Sequence, residues 1–460
     1  MKLKAPMNEN YAATVVVIKN IITLTNCDNV VHTSIFGNLV VVGKETKIGD
    51  IGLYFPVETR LSHEFLNENN LYRDNTKNKQ IDEKGYFEDN GRIRCVKFRG
   101  NRSEGLFLPT LSLLPFAEVT DIASLPEGSM FDSINGISIC EKYVPKVGNT
   151  PGTSGSSKGS RKVAKKISKI IAGQFNFHPD TSMLGKNMHK IFPNTLISIT
   201  DKLHGTSFVV SNILCKKKLK LKHRILKFLG VPLIDTHYET IYSSRKVIKN
   251  DDLNHDYNHF YKEDVWKNAA DALKDILLPG MTAYGEIVGF TQSGTPIQQG
   301  YDYGFSNKVN TLDRETTNVQ NFGIYVYRLT FTTVTGQVIE FSAKQVQNWC
   351  KEHGLNPVPE FFYGKASDLI KVDNQLIFFH EEAKDRWRGQ VLEYLLTAFN
   401  MEKDDANCVN KVPAEGIVVR IEDGTNYDAY KLKSFRFRER ETKELDKGVV
   451  DVETSESHTE

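Results

Sequence analysis

Short runs of β-branched and aromatic residues, separated by turn residues, fill the first hundred positions. They are TVVVIK (14–19), NLVVVG (38–43), IGLYFP (51–56) and RIRCVKFRG (92–100). Runs of this length and composition predict strands. Gly37, Gly43, Gly49 and Gly52 punctuate the early ones, and Arg92, Arg94 and Lys97 interleave with Ile93, Cys95, Val96 and Phe98 in the last. One helix is predicted near 62–72. Several short strands at this spacing predict a small all-β barrel or sandwich over 1–144. The pattern then stops. Residues 145–160 are mostly Pro, Gly, Ser and Thr, and the continuation to 169 is basic. Such a segment buries too little to repay its ordering entropy, so 145–169 is expected to be a flexible basic linker. It is either a plain tether or one that also touches phosphates.

From 170 to 443 the pattern changes again. Strands are predicted at 196–200, 206–211, 281–290, 323–329, 416–421 and 429–435, with helices at 260–277, 343–353 and 379–400. Long helices set apart from strands argue an α+β domain rather than a repeated βαβ unit. Residues 444–460 hold six acidic residues and one lysine, and are expected to form a disordered acidic tail.

Composition narrows the function classes. The chain has 460 residues, 59 Lys and Arg against 57 Asp and Glu, and a net charge of +2. No global basic field exists, so any nucleic-acid surface must come from local clusters. One such cluster is KKKLKLKHR (216–224), either a solvated insertion or a contact to an RNA backbone. The six cysteines are scattered with no CxxC pair, which excludes zinc-finger and thioredoxin readings and points to a reducing compartment. No apolar run reaches the ~20 residues of a membrane span. An intracellular protein, cytoplasmic or nuclear, with no membrane partner and acting as a monomer, is expected.

The chemistry concentrates in ISITDKLHGTSFVV (197–210). Lys202 follows a predicted strand and is itself followed by x-His204-Gly205. A lysine amine is a nucleophile once deprotonated, and glycine lets the backbone approach a ligand closely. A lone lysine is ordinarily a surface residue. What changes the reading is the order of later motifs: SSRK (243–246), YGEIVG (284–289), YVYR (325–328), EGIVVR (415–420) and YKLKS (430–434).

In that order the chain resembles the covalent lysine nucleotidyltransferases, the polynucleotide ligases and RNA capping enzymes. Lys202, His204 and Gly205 match the family's Lys-x-Asp/His-Gly motif. Arg245, Glu286, Tyr327, Glu415 with Gly416, and Lys431 with Lys433 match the motifs that follow. The resemblance covers about 196–436. His204, where DNA ligases and capping enzymes usually carry aspartate, is similar to the phage type-2 RNA ligases. A β-rich domain before the transferase, and only 27 residues after Lys433, resemble the Deinococcus and Naegleria type of RNA ligase.

The resemblance implies an antiparallel-sheet nucleotidyltransferase domain, ATP-grasp-like, preceded by an OB-type nucleic-acid-binding barrel. It implies an ATP-dependent RNA ligase that seals 3′-OH and 5′-phosphate ends at nicks through lysyl-AMP and RNA-adenylate. The alternatives are a ligase preferring mixed RNA/DNA nicks and a GTP-dependent capping-type transferase. ATP and Mg²⁺ or Mn²⁺ are the expected cofactors, and nicked duplex RNA the expected partner. By resemblance Lys202 is the nucleophile, and Lys431 and Lys433 act on the phosphates. His204 serves after the lysine is charged. Gly205, Arg245, Glu286, Tyr327 and Glu415 contact the nucleotide. Glu415 is expected to hold the metal; Glu286 either joins it or bonds the ribose. Arg328 follows Tyr327 where the family often has aspartate, which leaves Tyr325 and Phe322 as alternative stacking residues.

Overall fold

The computed structural model describes residues 1–145, 169–231, 233–250, 260–305, 321–370, 375–399, 401–423, 426–449 and 452. Most of the expected linker, 146–168, and most of the expected tail lie outside the described residues.

The first domain is β-rich, as its short apolar runs predict. Its strands are β1 (Ala13–Val17), β2 (Val30–Ile35), β3 (Asn38–Gly43), β4 (Ile51–Phe55), β5 (Cys95–Phe98), β6 (Asn101–Glu104) and β7 (Leu106–Pro109), with helix α1 at His63–Glu68. Strands β7, β4 and β1 pair antiparallel, as do β2 with β3 and β5 with β6. The core collects Val15, Leu53, Phe55, Phe65, Phe116 and Phe131, so helix α1 covers the sheet with Phe65. Ser62 caps α1 by accepting from the Phe65 N–H, which fixes where the helix starts.

The second domain holds two sheets. One has β8 (Leu196–Asp201) between β13 (Glu360–Lys365) and β14 (Gly416–Ile421), with β15 (Asp428–Lys433) beyond β14. The other runs in the order β10 (Thr236–Ser243), β9 (Thr206–Lys216), β11 (Met281–Gly289), β12 (Phe322–Thr332). Helices α3 (Val265–Leu273) and α4 (Ala343–Glu352) pack on the second sheet, placing Trp266, Leu273, Val346 and Cys350 against Phe208 and Val326. Helix α5 (Glu381–Leu395) covers the first with Trp387, Val391 and Leu395. Helix α2 (Leu221–Phe228) lies in the basic insertion.

A helix that the apolar pattern did not predict, α6 (Phe435–Asp446), follows β15 directly. It crosses the expected boundary at 443 and joins the two domains. Arg92 of the first domain is 4% exposed and lies between Glu58 (2.7 Å) and Asp446 (2.9 Å). Arg438 reaches back to Asn38 at 2.6 Å and Glu104 at 3.3 Å. Phe435 is buried with Val57 and Cys95. Buried charges are tolerated only when paired, and these pair across the domain boundary.

Candidate active site

Strand β8 ends at Asp201 and β9 starts at Thr206, so Lys202–Gly205 is the turn by which the chain passes from one sheet to the other. Asp201 is paired with Ile417 and Gly416 with Lys433. That register alone gathers Lys202, Glu415 and Lys433. The Lys202 N–H donates to the Gly416 carbonyl at 3.0 Å. Gly416 has φ +147°, and a Cβ there would lie 2.0 Å from the Leu432 carbonyl oxygen, so glycine is required.

Glu415 is 3% exposed and is the electrostatic centre. One oxygen is 2.7 Å from Lys202 Nζ and 3.4 Å from Lys433 Nζ, and the other is 3.4 Å from His204 Nδ1. Burial alone would raise its pKa, but Lys202, Lys433 and His204 outweigh it and hold the carboxyl well below its usual range. Burial pulls Lys433 down, and Glu441 at 3.1 Å together with Glu415 pushes it above the ordinary lysine value. Lys431 has the opposite fate. Burial, then Lys433, Arg245 and Lys202, lower it to about 7. It has no ion-pair partner among the described residues.

Opposite, β9 and β11 pair Ser207 with Glu286. The Glu286 carboxylate accepts from the Gly205 N–H and the Ser207 hydroxyl, both at 3.2 Å, and so clamps the lysine turn. A Cβ on Gly205 would meet the Ile287 carbonyl oxygen at 2.3 Å. The Tyr303 hydroxyl accepts from the His204 N–H at 2.9 Å, and Gln298 donates to the Gly205 carbonyl at 2.7 Å. The His204 ring stands edge-on to Tyr301 and Phe437. Arg245 meets Asp180 at 2.5 Å.

Lys202, His204, Gly205, Arg245, Glu286, Glu415, Lys431 and Lys433 all line one cavity of about 330 Å³, whereas Gly416 and Tyr327 do not. Strand β12 carries a bulge at Tyr327: Tyr284 pairs with Arg328 and Gly285 with Val326, leaving Tyr327 as the extra residue. Bulges re-aim a side chain, and here the ring packs edge-on to His178. Tyr325 and Phe322 do not line the cavity either. Arg328, the departure from the family pattern, is structural: it is bonded to Glu340 and lies over Tyr284 and Tyr427.

A family model described as RNA ligase matches residues 195–436, just over half of the chain. The chain belongs to the RNA ligase family. The ligase is thus an enzyme that forms phosphodiester bonds, and RNA is its substrate. A second model, an OB-fold domain, matches residues 12–110. No curated protein matches. Among solved structures, a mutant of Naegleria gruberi RNA ligase with AMP and Mn is 16% identical, over 93% of this chain and 98% of that one, at a TM-score of 0.53. The same organism's RNA ligase with PPi is 16% identical over 95% and 100%, at 0.54. At that identity the likeness is one of fold.

The ligase also uses residues that motif reading passed over. Asp180, Ser207, Gln298, Tyr303 and Glu441 hold the site in the contacts given above. Tyr11, Glu58 and Lys142 bring the first domain to the cavity wall. Only Ser207 lay within the segment that the sequence singled out, 197–210; the others carried no local signal. No cluster of three His, Cys, Asp or Glu side chains converges among the described residues. The donor set therefore suits a hard cation held by one carboxylate, phosphate oxygens and water, as Mg²⁺ is commonly held. Glu415 fits that role. The oxygens of Glu286 already accept bonds from Gly205 and Ser207, which favours a positioning role. No described helix is long and apolar enough to cross a membrane.

Proposed function

We propose that this RNA ligase consumes ATP and seals 3′-OH/5′-phosphate nicks in duplex RNA, with Lys202 as the nucleophile. The observation that carries the reading is the convergence of Lys202, Glu415, Lys433 and Lys431 on one cavity. The ATP and PPi complexes of the Naegleria enzyme support the choice of nucleotide. The capping-type alternative is not favoured, since the matched family is that of RNA ligases.

In the first step the Lys202 amine attacks the α-phosphorus. The N–P bond forms, the bond to pyrophosphate breaks with its electron pair leaving on pyrophosphate, and the attacking nitrogen gives up one proton to water. A free lysine titrates near 10.4, so an ammonium must first pass a separate proton to water before it can attack. Glu415 holds the Lys202 ammonium at 2.7 Å. Glu415 would also be the carboxylate that holds a divalent cation. A bound Mg²⁺ or Mn²⁺ would supply Lewis-acid stabilisation of charge on the phosphate. Lys431 and Lys433 stabilise the same charge from β15. In the second step AMP passes from Lys202 to the RNA 5′-phosphate. In the third the RNA 3′-OH attacks that phosphate and AMP leaves. His204, fixed through its backbone by Tyr303, acts in these RNA steps. The first domain, which lends Tyr11 and Lys142 to the cavity wall, grips the duplex.

The test is incubation with α-labelled ATP and Mg²⁺ or Mn²⁺, then denaturing electrophoresis, with Lys202→Ala as control. Label on the wild type alone, followed by sealing of a nicked RNA duplex, supports the reading. Labelling by GTP in place of ATP overturns the nucleotide. Absence of label on protein freed of AMP overturns the assignment of Lys202.

A further inference from the structure

The basic insertion between β9 and β10 takes no part in the site. Its start at Lys216 is about 33 Å of extended strand away from the lysine turn, since β9 runs from Thr206 to Lys216 at roughly 3.3 Å per residue. Residues 216–234 contain seven Lys or Arg and no acidic residue. Within them, helix α2 carries Leu221, Ile225 and Phe228 at positions i, i+4 and i+7, which lie on one face. That face is bare: the three side chains are 73%, 52% and 90% exposed, and Leu229 and Ile234 continue the apolar surface at 68% and 81%. Beside it lies a concavity of about 660 Å³ walled by Lys216, Lys217, Lys218, Lys220 and His237. Its one acid, Glu239, is already paired with Lys169 and His237.

Two chemistries thus sit side by side, an exposed apolar stripe and a lysine-lined cradle. A nucleic-acid backbone would answer the lysines and leave the stripe in water. An anionic lipid surface answers both. Phosphate headgroups meet the lysines, while Leu221, Ile225, Phe228 and Leu229 enter the acyl boundary. We propose that this insertion docks the ligase on an anionic phospholipid surface, peripherally and without spanning it. The sequence reading expected no membrane partner; the exposure of the stripe is what alters it.

The test is co-sedimentation of the full chain with phosphatidylcholine vesicles, alone or with about a third phosphatidylserine. Two double variants are compared, Phe228→Ser with Leu229→Ser and Lys217→Glu with Lys218→Glu, and retained lysyl-AMP formation reports that each is folded. The expected result is pelleting with the anionic vesicles only. Each double variant should lower it by roughly tenfold or more, and added salt should weaken it. No pelleting overturns the proposal. So does pelleting that the serine variant leaves unchanged. If the glutamate variant instead weakens binding to duplex RNA while vesicles fail to bind, the insertion is an RNA contact.

Discussion

Lys202 Nζ lies 2.7 Å from Glu415 Oε1, so the residue assigned as nucleophile is held by a buried carboxylate before any nucleotide arrives. The carboxylate that holds it also meets Lys433 and His204. Removing its charge is expected to act on catalysis beyond the loss of one contact. Glu415→Gln should lower the single-turnover rate of lysyl-AMP formation by about a hundredfold or more. A rate within a few-fold of wild type would show that the carboxylate only positions the turn.

His204 is expected to divide the reaction. His204→Ala should still form lysyl-AMP but lose sealing of a nicked RNA duplex by a factor on the order of 10². Parallel assays of the two steps read the difference. Equal loss in both would place the imidazole in the first step.

Lys431 gives a pH dependence with a definite sign. Burial and the neighbouring cations lower its pKa to about 7, so above that pH it is increasingly neutral. A bound triphosphate favours its ammonium form and raises its pKa, so binding takes up a proton at pH above about 7. ATP affinity should weaken as pH rises from 7 towards 9. Calorimetry in buffers of different ionisation enthalpy should detect the uptake, and Lys431→Met should abolish it.

Gly205 is confined by its neighbours. Gly205→Ala would put a Cβ 2.3 Å from the Ile287 carbonyl oxygen and 2.8 Å from Glu286 Cγ. The lysine turn must shift away from β11, at a cost of about 1–3 kcal/mol. Denaturant unfolding should show that loss, and labelling of Lys202 should fall with it.

Arg92 ties the domains. Arg92→Ala removes the guanidinium from the largely buried Glu58 and leaves Asp446 on α6 with only the longer contact to Arg94 at 3.7 Å. Breaking a buried pair costs about 3–5 kcal/mol. Because α6 also carries Glu441, which holds Lys433 at 3.1 Å, sealing should decline together with stability. A stable variant that still loses sealing would assign Arg92 to RNA contact instead.

The sequence by itself determined the chemistry and most of the strands that present it. Lys202, Glu286, Glu415, Lys431 and Lys433 stand at or beside strands that apolar runs marked clearly, because a strand's burial is written locally in its own residues. Helix α6 was not legible. Its segment, FRFRERETKELD, is mostly polar, and its buried side includes Arg438 and Thr442. Those groups tolerate burial only because Asn38, Glu104, Glu58 and the Cys95 N–H await them 334 to 400 residues earlier in the chain. Tyr327 shows the same limit on a smaller scale. Its place on a strand was readable, but its direction was set by a bulge in the pairing with β11. Local patterns record what each segment can bury; the partners of buried charges and the register of strands are decided only when distant segments meet.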